Sequence, residues 1–306
     1  MSVPARVSRS TALVVALSAG ALLLAACGGS STSAGTTSSS RGSTGAATGS
    51  VDSALAARLP ASIKSAGVIK SGTDASYPPM ESVSADGKTI EGFDVDLGNA
   101  VAAKLGVKIS FVNSPFDSII PGIASGKYDL GFSSFTPTAD RMKTVDFVNY
   151  LSNGTLWAVK PGNRAGVDKD NACGKKVAVQ KATTQVDDID ARDKQCTSAG
   201  KPAITIDQYQ LQTDATTAVI SGKDDAMLAD SPVISYAVAQ SKGQVEQLGD
   251  QYGAAPTGVA LPKGGPLTPV IADALTAVVK DGTYQQILSK WGLTKLAVTT
   301  IQTNQT

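Results

Sequence analysis

The chain contains no histidine, and that absence removes more chemistry than any motif present adds. A histidine-based catalytic triad, a histidine-ligated zinc and a histidine pH switch are all excluded. Only three cysteines occur, Cys27, Cys173 and Cys196, too few and too dispersed for a thiolate metal site, so no metal and no cofactor is expected. Clustered basic residues are missing as well. The 27 Lys and Arg stand against 26 Asp and Glu, which argues against nucleic acid as a partner, since that needs a basic patch. With 42% hydrophobic and 17% charged residues and a mean hydropathy of +0.02, the 306 residues are too polar for a multispan membrane protein.

The first fifty residues do not read as part of a domain. Arg6 and Arg9 precede an apolar stretch from Ala12 to Ala26, short for a bilayer span of about 20 residues and suited to a secretory signal. Its end, Leu24-Ala25-Ala26-Cys27, resembles the lipobox of bacterial lipoproteins. That resemblance implies cleavage before Cys27, with residues 1–26 as signal peptide, and a diacylglyceryl thioether on the Cys27 sulfur. An ordinary signal peptide followed by a stray cysteine is the plainer alternative. From Gly28 to Ser50, 22 of 23 residues are Gly, Ser, Thr or Ala, a composition that cannot bury enough apolar surface to fold. Residues 27–50 are therefore expected to be a lipidated cysteine and a flexible tether, reaching about 25–30 Å from the anchor on average. Export also bears on the other two cysteines. In an oxidising compartment a Cys173–Cys196 disulfide is favoured over two free thiols; a reactive thiolate would lack a histidine partner.

From Val51 onward, short β-branched runs alternate with longer amphipathic runs, the pattern of a mainly parallel sheet covered by helices. Residues 67–72, 107–112, 128–134, 175–180, 203–206 and 224–230 read as strands. Between them a helix is expected to start at a cap, Asp94, to place Leu97, Val101 and Leu105 on one face, and to stop at Gly106. Ile271, Leu275, Val278 and Val279 mark a second buried-face helix. The segments IASGKYDLGFSS (123–134) and VISGKDDAMLADS (219–231) share a helix end, Ser-Gly-Lys, an Asp and an apolar strand. Two similar α/β lobes are the reading, since a solenoid needs more copies at a shorter period. Ligands sit beyond the carboxyl ends of strands in open α/β sheets, here Ser133 to Thr136 in one copy and Asp230-Ser231 in the other. If the lobes face one another, these groups converge on a cleft for something small and polar.

The stretches SGTDASYPPMES (71–82), EGFDVDLGNAVAAKLG (91–106), FDSIIPGIASGKYDLGFSSFTPTADRMKTVDFVNY (116–150), KKVAVQKATTQ (175–185) and DDAMLAD (224–230) resemble the family 3 solute-binding proteins of ABC transporters, in order and spacing through nearly all of residues 66–293. The resemblance implies an α/β, two-lobed periplasmic-binding-protein-like fold of type II, each lobe a mixed sheet flanked by helices, with a hinge between. The expected division is 51–158 plus 257–306 for lobe 1 and 159–256 for lobe 2. It further implies a monomeric, extracytoplasmic, membrane-anchored protein that binds an amino acid and delivers it to a permease with its ATPase.

An amino acid offers a carboxylate, an ammonium and a side chain. Arg141 supplies a planar guanidinium able to grip the carboxylate bidentately, and the resemblance gives it that role; a surface arginine on a helix is the alternative. Ser134 and Thr136 offer hydroxyls and N–H groups near the start of that helix; Ser133 is a further ligand candidate, with a strand-end hydroxyl making only local bonds as the alternative. Thr183 and Thr184 would cap a helix beginning near Gln185 and, by resemblance, bind the carboxylate. The family commonly has Gly where this chain has Ala182, which bears on the loop. Asp230 matches the acid that receives the α-ammonium and would be costly to bury unpaired. Asp74, Tyr77 and Phe116 match the side-chain pocket. Asp74 suits a cation or an amide donor and repels a carboxylate, so basic or amide amino acids are expected. The protein is expected not to be an enzyme. The alternative is a periplasmic dehydratase on the same fold, which would need a general acid beyond Asp74 and Asp230.

Overall fold

The computed structural model describes residues 50–306. The expected signal peptide, Cys27 and all of the expected tether except Ser50 lie outside the described residues. Two short helices, α1 (Ser53–Ala57) and α2 (Ala61–Ala66), lead into β1 (Val68–Thr73). A small antiparallel sheet follows, β2 (Ser76–Tyr77), β3 (Glu81–Val83) and β4 (Ile90–Glu91). Then come α3 (Phe93–Lys104), β5 (Lys108–Asn113), α4 (Phe116–Ala124) and β6 (Leu130–Phe135). A long strand, β7 (Val145–Val159), carries the chain to β8 (Lys176–Gln180), α5 (Thr184–Ser198), β9 (Thr205–Tyr209), α6 (Gln212–Ser221), β10 (Ala226–Asp230) and α7 (Ser231–Gln240). A second long strand, β11 (Glu246–Pro262), returns it to α8 (Leu267–Lys280), α9 (Thr283–Trp291) and β12 (Ala297–Thr303).

The main sheet runs β5-β1-β6-β11-β7-β10-β8-β9, with β12 also on β7. At each end three strands are parallel, β5-β1-β6 and β10-β8-β9, and in both the first strand in sequence lies in the middle, the second outside it, and the third inward. Two lobes of one topology are thus joined by the antiparallel pair of β7 and β11, which shifts register between Leu248 and Tyr252, between Tyr252 and Ala255, and again at Thr257 and Gly258.

The repeat seen in the sequence is real at the level of single hydrogen bonds. α4 and α6 both lead through a left-handed glycine, Gly126 (φ +75°) and Gly222 (φ +80°), into the next strand. Asp129 then accepts the Lys70 amide at 2.7 Å, and its counterpart Asp225 accepts the Lys176 amide at 2.9 Å. Both carboxylates pin the start of a central strand to the turn that precedes its neighbour.

The expected helix faces are buried: Leu97, Val101 and Leu105 on α3 and its end, Ile271, Leu275 and Val278 on α8. Gly106 follows α3 in the left-handed region, φ +67°. Asp94, however, is not the cap. Gly92 holds that position and Asp94 lies within the first turn, with its carboxylate turned inward and fully buried. The strand expected at 203–206 forms two residues later, at Thr205–Tyr209. Cys173 and Cys196 form a disulfide with their Cα atoms 5.5 Å apart; it ties the approach to β8 to the last turn of α5, inside the apolar cluster around Trp157, Val177 and Leu228. No helix among the described residues is long and apolar enough to cross a membrane.

Candidate functional site

The carboxyl ends of β6 and β10 meet at a narrow cleft lined from both sides, because each lobe turns the same end of its parallel strands toward the other. All ten residues expected from the sequence to bind ligand line it. From lobe 1 these are Asp74, Tyr77, Phe116, Ser133, Ser134, Thr136 and Arg141; from lobe 2, Thr183, Thr184 and Asp230. Glu81, Gln180 and Gln185 line it too. Those three were not singled out by sequence. Each sits in a segment that carries the resemblance, and Gln180 ends β8 as Asp230 ends β10, so strand-end position was the available signal for it.

Arg141 stands on the wall of lobe 1. Its Nη1 donates to the Thr136 carbonyl at 2.7 Å and its Nη2 reaches across to the Ala182 carbonyl at 2.8 Å. The guanidinium lies over the rings of Phe116 and Phe135, 5.4 and 5.8 Å from their centroids, and these rings stack on each other at 4.8 Å. Aromatic faces favour a cation there. The chain at Arg141 is not an extended helix but a single 3-10 turn, Arg141–Lys143, so the anion-attracting helix start expected beside Ser134 and Thr136 does not exist. Ser134 instead adopts φ +48°, held there by its amide and hydroxyl donating to Asp94 at 2.8 and 3.2 Å.

Asp230 ends β10 on the opposite side, buried to 5% exposure. Burial pushes its carboxyl up to about 6, against hydrogen bonds from Gln185 and other neighbours that pull it down. Gln185 donates to it at 2.9 Å, and the Asp230 amide donates to the Tyr77 hydroxyl at 3.1 Å. Tyr77 is thereby a link between lobes as well as a wall. Ala182 carries φ +62°, the left-handed conformation that glycine adopts without strain. Thr183 occupies the N-cap position of α5, yet its hydroxyl donates backward to the Gln180 carbonyl at 2.7 Å instead of capping the helix, a correction to the expectation. Thr184 is the first helical residue.

Asp74 is 1% exposed and saturated. One oxygen accepts the Ser76 amide and hydroxyl at 3.1 and 2.6 Å; the other accepts the Phe116 amide at 2.9 Å and Gln180 Nε2, from lobe 2, at 3.0 Å. Four donors fill the acceptor capacity of a carboxylate. At the rim, Lys181 and Asp117 form a further bridge between lobes at 2.9 Å. Among the described residues no group of three or more His, Cys, Asp or Glu is arranged to hold a metal ion. The cleft can therefore present one guanidinium and several carboxyls to a small zwitterion.

Residues 69–294 match the family model described as bacterial extracellular solute-binding proteins, family 3. An arginine-binding protein of Corynebacterium glutamicum is 38% identical over 238 residues, 78% of each chain. The L-arginine-binding protein of Pseudomonas aeruginosa is 30% identical over 233 residues, covering 73% of this chain and 87% of that one. Among solved structures, an ancestral arginine-binding protein bound to arginine superposes with a TM-score of 0.69 at 35% identity, over 74% of this chain and 98% of that one. An ancestral amino-acid-binding protein described as a precursor of cyclohexadienyl dehydratase gives 0.65 at 34% identity, over 75% and 97%. The chain belongs to the bacterial extracellular solute-binding proteins of family 3.

Proposed function

We propose that this protein is the substrate-binding component of an ABC importer, a lipid-anchored extracytoplasmic protein that takes a basic amino acid, arginine foremost, and hands it to a permease. The observation that carries this reading is the pairing of Arg141 and Asp230 on opposite walls of one cleft, a cation for the α-carboxylate and an anion for the α-ammonium. Three acids, Asp74, Glu81 and Asp230, against the single base Arg141 favour a ligand that brings net positive charge, and the arginine-binding relatives support the same choice. Thr183 and Thr184 add N–H groups, and Thr184 a hydroxyl, to the carboxylate side. The lobes divide at 158/159 and 256/257, within the paired strands β7 and β11, and close by hinge motion as ligand contacts from both walls favour the closed form. Cys27 carries the lipid and residues 28–50 the tether; a Cys27→Ser variant is expected to leave the membrane fraction.

A thermal-shift screen of the twenty amino acids tests the reading, since a ligand binding only the folded form stabilises it by about 2.7 kcal/mol at a hundredfold excess over Kd. Stabilisation by arginine or lysine above all others is expected. No response to any amino acid removes the proposal. Turnover of a cyclohexadienyl acid, followed by absorbance, would favour the dehydratase instead.

A further inference from the structure

The four donors that fill Asp74 come from both lobes. The Ser76 and Phe116 groups belong to lobe 1, whereas Gln180 Nε2, at 3.0 Å, comes from the end of β8 in lobe 2. The other proton of that amide goes to the Gln210 carbonyl at 3.2 Å, which keeps the donor pointed at lobe 1. A second path crosses the seam beside it. Helix α6 has Leu211 at its N-cap position and no side-chain cap of its own, yet the amide of its first residue, Gln212, donates to the Ser76 hydroxyl oxygen at 3.1 Å. A leucine side chain cannot accept such a bond, so lobe 1 satisfies the start of a lobe 2 helix. The Ser76 hydroxyl passes its own proton to Asp74 at 2.6 Å. Asp74, Ser76, Gln180 and Gln212 are each 5% exposed or less, and every bond in the group joins protein atoms.

We infer that Asp74 and Ser76 are closure residues: they fasten lobe 1 to lobe 2, set how readily the cleft shuts, and take no part in choosing the ligand's side chain. The inference rests on the amino-acid-binding reading and deepens it. The resemblance matches Asp74 to the side-chain pocket, but the geometry leaves it no acceptor position to offer a ligand. A motion that parts the lobes takes Gln180 from Asp74 and Gln212 from Ser76 together, because both donors stand just at or beyond the ends of the neighbouring strands β8 and β9. The bonds within lobe 1 survive it. Closing restores the two cross-seam bonds in a buried place, where leaving either unmade would strand a polar group. A ligand that binds only the closed form has an apparent Kd equal to its intrinsic Kd divided by the closed fraction. Weakening the seam therefore raises Kd by one factor, whatever the side chain.

Calorimetric titration of L-arginine, L-lysine and L-glutamine into the parent protein, Ser76→Ala and Gln180→Leu tests this. In each variant every measurable dissociation constant is expected to rise about tenfold, by factors within about threefold of one another, so the parent's order of preference is kept. Stopped-flow kinetics should place the loss in faster release, with association unchanged, because the seam holds the closed form. Factors that differ by more than about threefold between ligands would make these residues side-chain contacts and overturn the inference, leaving the amino-acid reading standing. Constants within threefold of the parent, or a loss carried by slower association, would overturn it too. Binding of none of the three ligands by the parent removes both readings. Ser76→Ala deletes a single oxygen atom, so the test holds even if the bulkier change at Gln180 prevents folding.

Discussion

The guanidinium of Arg141 in lobe 1 and the carbonyl of Ala182 in lobe 2 are joined by a hydrogen bond of 2.8 Å across the mouth of the cleft. The carbonyl can point there because Ala182 takes a left-handed conformation at the turn between β8 and α5. One bond thus couples the residue proposed to grip a carboxylate to the loop that faces it.

Arg141→Ala is expected to weaken arginine binding by about thirtyfold or more, because truncating one member of a buried charge pair costs about 2–5 kcal/mol. Arg141→Lys should recover little, since one ammonium cannot hold the Thr136 and Ala182 carbonyls and still meet a carboxylate in its plane. Calorimetric titration of both variants checks this; binding within threefold of the parent for either would displace Arg141 from the site.

Replacing Ala182 by Gly removes a Cβ from a left-handed residue. Relief of about 1–2 kcal/mol exceeds the roughly 0.5–1 kcal/mol of extra chain entropy that glycine brings to the unfolded state. Ala182→Gly should therefore raise stability by about 0.5–1 kcal/mol in urea unfolding of the ligand-free protein. A β-branched Val at the same position should lower it.

Acidification should weaken recognition of the α-ammonium. Asp230 titrates near 6 because it is buried, and the ammonium requires the ionised form. The folded carboxyl binds its proton more tightly than the unfolded one, so the fold itself gains from protonation as pH falls from 6 toward 4 while the ligand loses. Affinity for a neutral-side-chain ligand such as glutamine, measured by titration, is expected to drop about tenfold from pH 7.5 to pH 5. A flat profile would mean that Asp230 does not pair with the ammonium.

Double substitution of Cys173 and Cys196 by Ser opens a loop of 23 residues' separation. A cost of about 3 kcal/mol is expected, roughly 6–12 °C in Tm for a protein of this size. Binding at 25 °C should change little because the bridge lies in the apolar cluster behind lobe 2 and not in the cleft. Differential scanning calorimetry with matched titrations separates the two effects.

The alternation of strands and helices, the buried stripes of α3 and α8 and the repeated Ser-Gly-Lys turn were legible in the sequence because each is local, whereas the disulfide, between residues 23 positions apart, followed from the oxidising compartment that export implies. Periodicity, a cap or a short pattern reports what lies within a few residues. Even the convergence of Ser133 and Asp230 followed from strand ends and a repeat. Asp94 shows where that reasoning stops. As a residue at a helix start it read as a cap, yet it faces Ser134 and Tyr150, forty and fifty-six positions away, and no pattern near position 94 records them.

The chain by itself determined the family, the two-lobed α/β plan and the set of polar residues at the strand ends, since composition, spacing and motif order are properties of one dimension. Only the tertiary structure decided which of those residues are free to act. Asp74 and Glu81 are both acids in one short segment and look alike in sequence. Folding surrounds Asp74 with four donors and leaves Glu81 Oε2 buried without a donor. The donors come from β2, α4 and the far lobe, so the difference in availability arises from contacts between distant segments.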